Sequence, residues 1–147
     1  MTRRVQIWRR VRISRSLVYL WACPTSALGI VALLLASMRG RVESRIVDGV
    51  LEIHGGWITL FLRHGTLLLG GASAMTLGHV VLGQNSLLLD QTRRHERIHV
   101  GQCERWGPFF APAYLLASLL AALRGERPYL DNPFEREAYA GDGGHLF

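Results

Sequence analysis

Residues 17–38, LVYLWACPTSALGIVALLLASM, form an uncharged apolar run of 22 positions. A hydrocarbon core about 30 Å thick takes roughly 20 residues of helix. The run therefore predicts one transmembrane helix, with Pro24 near its start, where a missing N–H does least harm. Residues 41–56 then place Asp48-Gly49 between β-rich arms, which predicts a hairpin. Residues 57–63, WITLFLR, and 76–82, TLGHVVL, read as two further strands, separated by a break at Gly70-Gly71. Together these give a small antiparallel sheet. Residues 91–106 switch to helical character, with Asp90 or Thr92 as cap and Gly107-Pro108 as stop. Residues 109–123, FFAPAYLLASLLAAL, are apolar but only 15 long and contain Pro112, which fits a buried or interfacial helix better than a span. A polar link over 124–132 leads to a short helix over 133–140, with Pro133 first and Asn132 as cap.

The expected organisation is a basic segment 1–16, the membrane helix 17–38, an α+β domain 41–140 and a loose tail 141–147. Charge adds an orientation. The net charge is +6 and all 17 basic residues are arginine. Arg3, Arg4, Arg9, Arg10, Arg12 and Arg15 precede the apolar run, whereas Arg39, Arg41 and Arg45 follow it. That bias favours a cytoplasmic N-terminus in a single-pass protein of a bacterial-type inner membrane. A cleaved signal is disfavoured, because the run is long and Ala36-Ser37-Met38-Arg39 is a poor cleavage site. The arginines suit lipid headgroups. No aromatic-interleaved basic patch accompanies them, so nucleic acid is not expected as a partner. Cys23 and Cys103 imply neither a disulfide framework nor a Cys-x-x-Cys site.

The chemistry concentrates in RRHERIHVGQ, residues 93–102. His95 and His99 are four apart and share one helix face, where both imidazoles can meet one metal ion. Glu96 lies beside that face and can reach a metal-activated water. Composition alone would produce His-Glu-x-x-His roughly once in a hundred such chains. A catalytic zinc needs a third protein ligand and an open position. Candidates lie in the tail, Asn132-Pro-Phe-Glu135-Arg-Glu137-Ala138-Tyr139.

His-Glu-x-x-His followed by Asn-Pro-x-Glu-x-x-Ala resembles the gluzincin class of zinc metallopeptidases, and the minigluzincins in scale. The resemblance covers about residues 76–140. It implies a zincin-like domain with Zn2+ held by His95, His99 and Glu135, Glu96 as general base, and a peptide or protein substrate pairing with the strand before the metal helix. Glu137 is the rival third ligand. The family carries Asp after the Ala, supporting a ligating histidine; here Tyr139 stands there, a candidate to accept that hydrogen bond or steady an oxyanion. A membrane-anchored zinc peptidase is thus the leading expectation. The alternative is a non-catalytic membrane protein whose histidine helix is structural or binds a structural zinc. His79 reads as a core or edge histidine, His54 and His64 as exposed, His145 as part of the tail, and Cys103 as packing. If residues 109–123 crossed a bilayer, Glu135 and the histidines would be separated, so the metal reading requires that they do not.

Overall fold

The structure, a computed structural model, describes residues 15–38, 40–66 and 71–143. Arg3, Arg4, Arg9, Arg10, Arg12, Arg39, Gly70 and His145 lie outside the described residues, as does the end of the expected tail.

The apolar run forms two helices in place of one, α1 (Arg15–Trp21) and α2 (Cys23–Ser37). Pro24 stands in the first turn of α2 and has no N–H to extend the ladder from α1, which is why the helix restarts there. α2 does not stand apart from the rest of the chain. A Cβ added at Gly29 would lie 2.5 Å from Cβ of Val80. Ala36 is fully buried. Near the start of α2, the Ser26 hydroxyl accepts the His79 N–H at 3.0 Å. The helix therefore lies along the sheet for most of its length. Among the described residues, the helical run long and apolar enough to cross a membrane is Ser86–Leu123, of 38 residues.

The Asp-Gly hairpin forms as its sequence predicts. β1 (Val42–Val47) and β2 (Val50–Gly55) pair antiparallel, with Val47 opposite Val50. Asp48 and Gly49 both have positive φ, 49° and 79°, as a two-residue loop of this hand requires. The next segment departs from expectation. Trp57–Leu60 is a helical turn, α3, continued by a π-helical turn at Phe61–Gly65. Both edges of β2 are already occupied, so this apolar stretch covers the sheet's face, with Ile58 and Leu62 on its buried side. The expected strand over TLGHVVL is two strands, β3 (Ala74–Leu77) and β4 (Val80–Gly83), joined by a tight turn at Gly78-His79. Gly78 has φ 65°, a conformation that favours glycine.

The sheet order is β1-β2-β4-β3. β2 and β4 run parallel, so the sheet is mixed, not purely antiparallel. Successive residues of β4 serve opposite faces. Val80 and Leu82 join Ile53, Ile58, Leu62 and Ala36 on the α2 side. Val81 joins Val50, Leu89 and Val100 on the other, which is covered by α4 (Ser86–Trp106). Both faces being covered, β4 is buried throughout and reads as a continuous apolar run.

α4 starts five residues earlier than expected, because the Asn85 side chain caps it by accepting the Leu88 N–H at 2.8 Å. A charged cluster fixes it to the sheet. Glu52 on β2 is 2% exposed and receives Arg93 at 2.9 Å, Arg45 at 2.9 Å and Arg97 at 3.3 Å. Beyond a 3-10 turn at Gly107–Phe109 comes α5 (Phe110–Leu123), and after a loop α6 (Pro133–Asp142). The described fold is α+β, mostly helical, with helices on both faces of a small mixed sheet.

If α2 is docked on the sheet, Gly29→Val should lower stability by about 1–3 kcal/mol through overpacking against Val80, while Ile30→Val, at an exposed position, should stay within about 0.5 kcal/mol. Chemical denaturation of the two variants measures this; equal effects would mean that α2 is free of the sheet.

Candidate metal centre

Three elements build the site. α4 presents His95, Glu96, His99 and Gln102 on its buried side. α6 presents Glu135 in its first turn, at a point set by Asn132. The Asn132 side-chain carbonyl accepts the Phe134 N–H at 2.9 Å, and its amide donates to the Tyr114 carbonyl and to Ser118 Oγ. The cap thus fixes the start of α6 against α5. α5 adds Tyr114, whose hydroxyl donates to Glu135 Oε1 at 2.6 Å. This brings His95, His99 and Glu135 together, buried, with one ligand atom from each lying within 4.8 Å of the others. α5 leads the chain out and back, so these three residues are not separated by it.

The distances are 3.1 Å between the two Nε2 atoms, 3.2 Å from His95 Nε2 to Glu135 Oε2, and 3.3 Å from His99 Nε2 to Glu135 Oε1. The outer ring nitrogens decide what this means. Gln102 Nε2 donates to the Phe134 carbonyl and to Glu137 Oε2, both at 2.9 Å. Its Oε1 is thereby turned to His99 Nδ1, 2.8 Å away, which must donate. His95 Nδ1 lies 3.1 Å from Asp142 Oδ2, and a carboxylate only accepts. With each Nδ1 carrying its hydrogen, a neutral imidazole has a lone pair on Nε2. Two such lone pairs and a carboxylate then face one another, on side chains that are all buried. Glu135 Oε2 is buried without an aligned hydrogen-bond donor, despite the nearby Nε2. The arrangement calls for a cation at its centre.

In the metal-free chain a proton is the available cation. Burial pushes the His99 imidazole down, but the Glu135 carboxylate outweighs it and holds His99 at about 9. His95 is raised in the same way. Burial pushes the Glu135 carboxyl up, but the two histidines and the Tyr114 hydroxyl hold it at about 2. A divalent ion would take the proton's place. Two imidazole nitrogens and one carboxylate, each pre-aimed, fit the donor set and geometry of a three-ligand zinc site.

Glu137 is turned elsewhere, bonded to Gln102 and paired with Arg105 at 2.5 Å. Tyr139 packs its ring on His95, with centroids 4.6 Å apart, and its hydroxyl donates to the Tyr129 hydroxyl at 3.3 Å. It therefore does not take the hydrogen-bonding place expected of it beside a ligating histidine. Asp142 does, from one turn further along α6, in a segment expected to be loose. Gln102 is the equivalent partner of His99. Asp142 could have been found from its spacing, since it lies seven residues after Glu135 and so shares its helix face.

Glu96 is buried and lines the same cavity as the triad. Its Oε2 accepts the Thr76 hydroxyl of β3 at 2.6 Å. Of the remaining histidines, His79 is buried in the β3–β4 turn, stacked on Tyr19 at 4.1 Å and paired with Glu104 at 3.1 Å. His64 is exposed and His54 is half-buried near Glu43. Cys103 is fully buried, and burial pushes its thiol up to about 11, so it serves packing, as expected.

Two measurements follow. Partners of this kind are worth about ten- to a hundredfold in metal affinity, so Asp142→Ala should weaken zinc binding by that amount in a competition titration, whereas Glu137→Ala should change it little. Glu135→Ala should weaken it further than either. In the metal-free chain the raised His99 contributes stability that is fully present below its ordinary value of 6.5 and is lost as pH rises through about 9. The depressed Glu135 contributes stability present above 4.5 and lost as pH falls through about 2. Thermal melts should show both limbs, and saturating zinc should remove the upper one. No protein-family model, curated protein or solved structure matches the chain, so its chemistry rests on these side chains.

Proposed function

We propose that the protein is a zinc-dependent hydrolase acting on peptide bonds at a membrane. The observation that carries the reading is the convergence of His95 Nε2, His99 Nε2 and Glu135 on one point, with Glu96 beside them in a common cavity. A zinc ion bound there would polarise a carbonyl oxygen and acidify a water. Glu96, in the same cavity, would take the proton of that water and, as the C–N bond breaks, give it to the leaving amine. Thr76 orients the Glu96 carboxylate through its hydrogen bond. Tyr114, which bonds Glu135, and Asp142 and Gln102, which bond the histidines, hold the ligands in position.

Two features favour catalysis over a structural ion. Structural zinc sites close with four protein ligands, whereas three are gathered here among the described residues. Above them lies a cavity of about 560 Å3, large enough for several substrate side chains. Both features accord with the zincin resemblance of the two motifs. Membrane attachment is supported by the exposed apolar residues of α2 and α5 and by the excess of arginine.

General acid–base groups contribute about a hundred- to ten-thousandfold in rate. Glu96→Gln should therefore retain zinc and fold while losing turnover by that factor, read by mass spectrometry of a broad peptide library incubated with each form. Wild-type protein that binds zinc yet cleaves nothing the variant does not would leave the ion a structural role.

A further inference from the structure

The cavity above the triad has a polar floor and an apolar rim. Its rim includes Leu28 of α2 with Ala111 and Leu115 of α5. The two helices leave one corner of the fold, where Gly107 packs so closely on the Trp21 indole that a Cβ there would lie 2.3 Å from it. Neither Cys23–Ser37 nor Phe110–Leu123 contains a charged residue. Away from the sheet they expose Leu34, Leu35, Leu116, Leu119 and Leu123.

The hydroxyls of these helices are already engaged within the fold. Thr25, Ser26 and Ser37 each donate to a backbone carbonyl of their own helix or its cap. Tyr114 is engaged by Glu135, and Ser118 Oγ accepts from Asn132. Backbone and hydroxyl groups that are satisfied internally, beneath a continuous apolar face, suit hydrocarbon better than a protein surface. The borders agree. Trp21, Trp106 and Phe109 are exposed at the shared corner. Exposed Arg41 and Arg124 follow the far ends of the two helices. Aromatic side chains and arginines at the ends of apolar helices belong at the lipid–water boundary, and arginine complements anionic headgroups. α5 has 14 residues, and at the usual rise its length is roughly 21 Å, short of a hydrocarbon core of about 30 Å. The face is therefore suited to sink into one leaflet.

We propose that the cavity opens sideways between α2 and α5 into the acyl layer, and that the protein's substrate is an apolar peptide segment resident in the bilayer. This rests on the hydrolase reading and assigns its substrate class. The segment would pass the Leu28–Leu115 rim with its apolar side chains in lipid and present its backbone to Glu96 and the triad at the polar floor.

The test uses the full chain as Glu96→Gln, in vesicles of phosphatidylcholine and phosphatidylglycerol that carry a bilayer-spanning leucine–alanine peptide. A photoreactive benzophenone replaces either Leu115 at the rim or Leu87 at the start of α4, which are 61% and 62% exposed. Position 115 should crosslink to both lipid and peptide several-fold more than position 87. Crosslinking at 115 no greater than at 87, or to lipid without peptide, overturns the proposal. As a check without a probe, the wild-type chain should float with these vesicles in high salt, and Leu115→Arg/Leu119→Arg, at two exposed sites, should not. Equal flotation also overturns it. The two readings separate cleanly. Crosslinking by a chain that hydrolyses nothing removes the hydrolase and leaves this surface standing. Hydrolysis of soluble polar peptides without crosslinking at 115 does the reverse.

Discussion

Lone pairs that face one another on buried side chains repel unless a positive charge sits among them. That constraint bears on how α4, α5 and α6 meet. His95, His99 and Glu135 are driven together by packing of α4 against α6, and their outer nitrogens are already committed to Asp142 and Gln102. Whatever cation occupies the centre, proton or metal, is therefore part of what holds α6 to the rest. α5 and its return loop serve this joint. Tyr114 reaches Glu135 and Asn132 reaches back to α5, so the loop closes on itself at the third ligand.

The opposite side of α4 solves the inverse problem. There the buried charge is a carboxylate, Glu52, and the cations are built in as Arg45, Arg93 and Arg97. Arg97 also donates to the Val47 carbonyl at 2.6 Å, next to the hairpin turn. One helix is thus held on the sheet by arginines it carries and on α6 by a cation it has to acquire. The first joint is complete when the chain is made. The second depends on a cation taken from solution, which gives the two joints unequal dependence on conditions.

How much of this was legible in the sequence follows from how local each signal is. The Asp48-Gly49 loop, the Asn132 cap and the i, i+4 histidines are each fixed by a few adjacent residues, and each appears where expected. Most of the readings that failed turn on contacts distant in sequence. WITLFLR has Ile58 and Leu62 at helical spacing as well as strand-forming residues, and what decides between them is the apolar sheet face of Ile53, Val80 and Leu82 that those two side chains cover. TLGHVVL hides a two-residue turn, because Gly78 sits among strand-forming residues whose pattern it does not interrupt. The apolar run 17–38 has the composition of a span, yet composition does not reveal that Gly29 is shaped to accept Val80. Asp142 is hidden because the polar residues after Ala140 resemble a frayed end, although α6 runs on to that residue and is capped by Gly143, with φ 102°.

Tyr19 ties these parts together in a way that bears on the order of assembly. Its ring lies on His79 and its hydroxyl donates to the Gly49 carbonyl at 3.1 Å, so one side chain of α1 touches the turns of both hairpins. Those partners are 30 and 60 residues further along the chain. During synthesis, α1 and α2 emerge before the sheet and have nothing in it to pack on until β4 has been made. Their apolar faces must wait, and contacts this distant in sequence form slowly. A nascent chain in that state needs a lipid surface or a chaperone to shield it. The latch at Tyr19 closes only when both turns have been delivered, which makes the earliest segment of the described chain among the last to find its place.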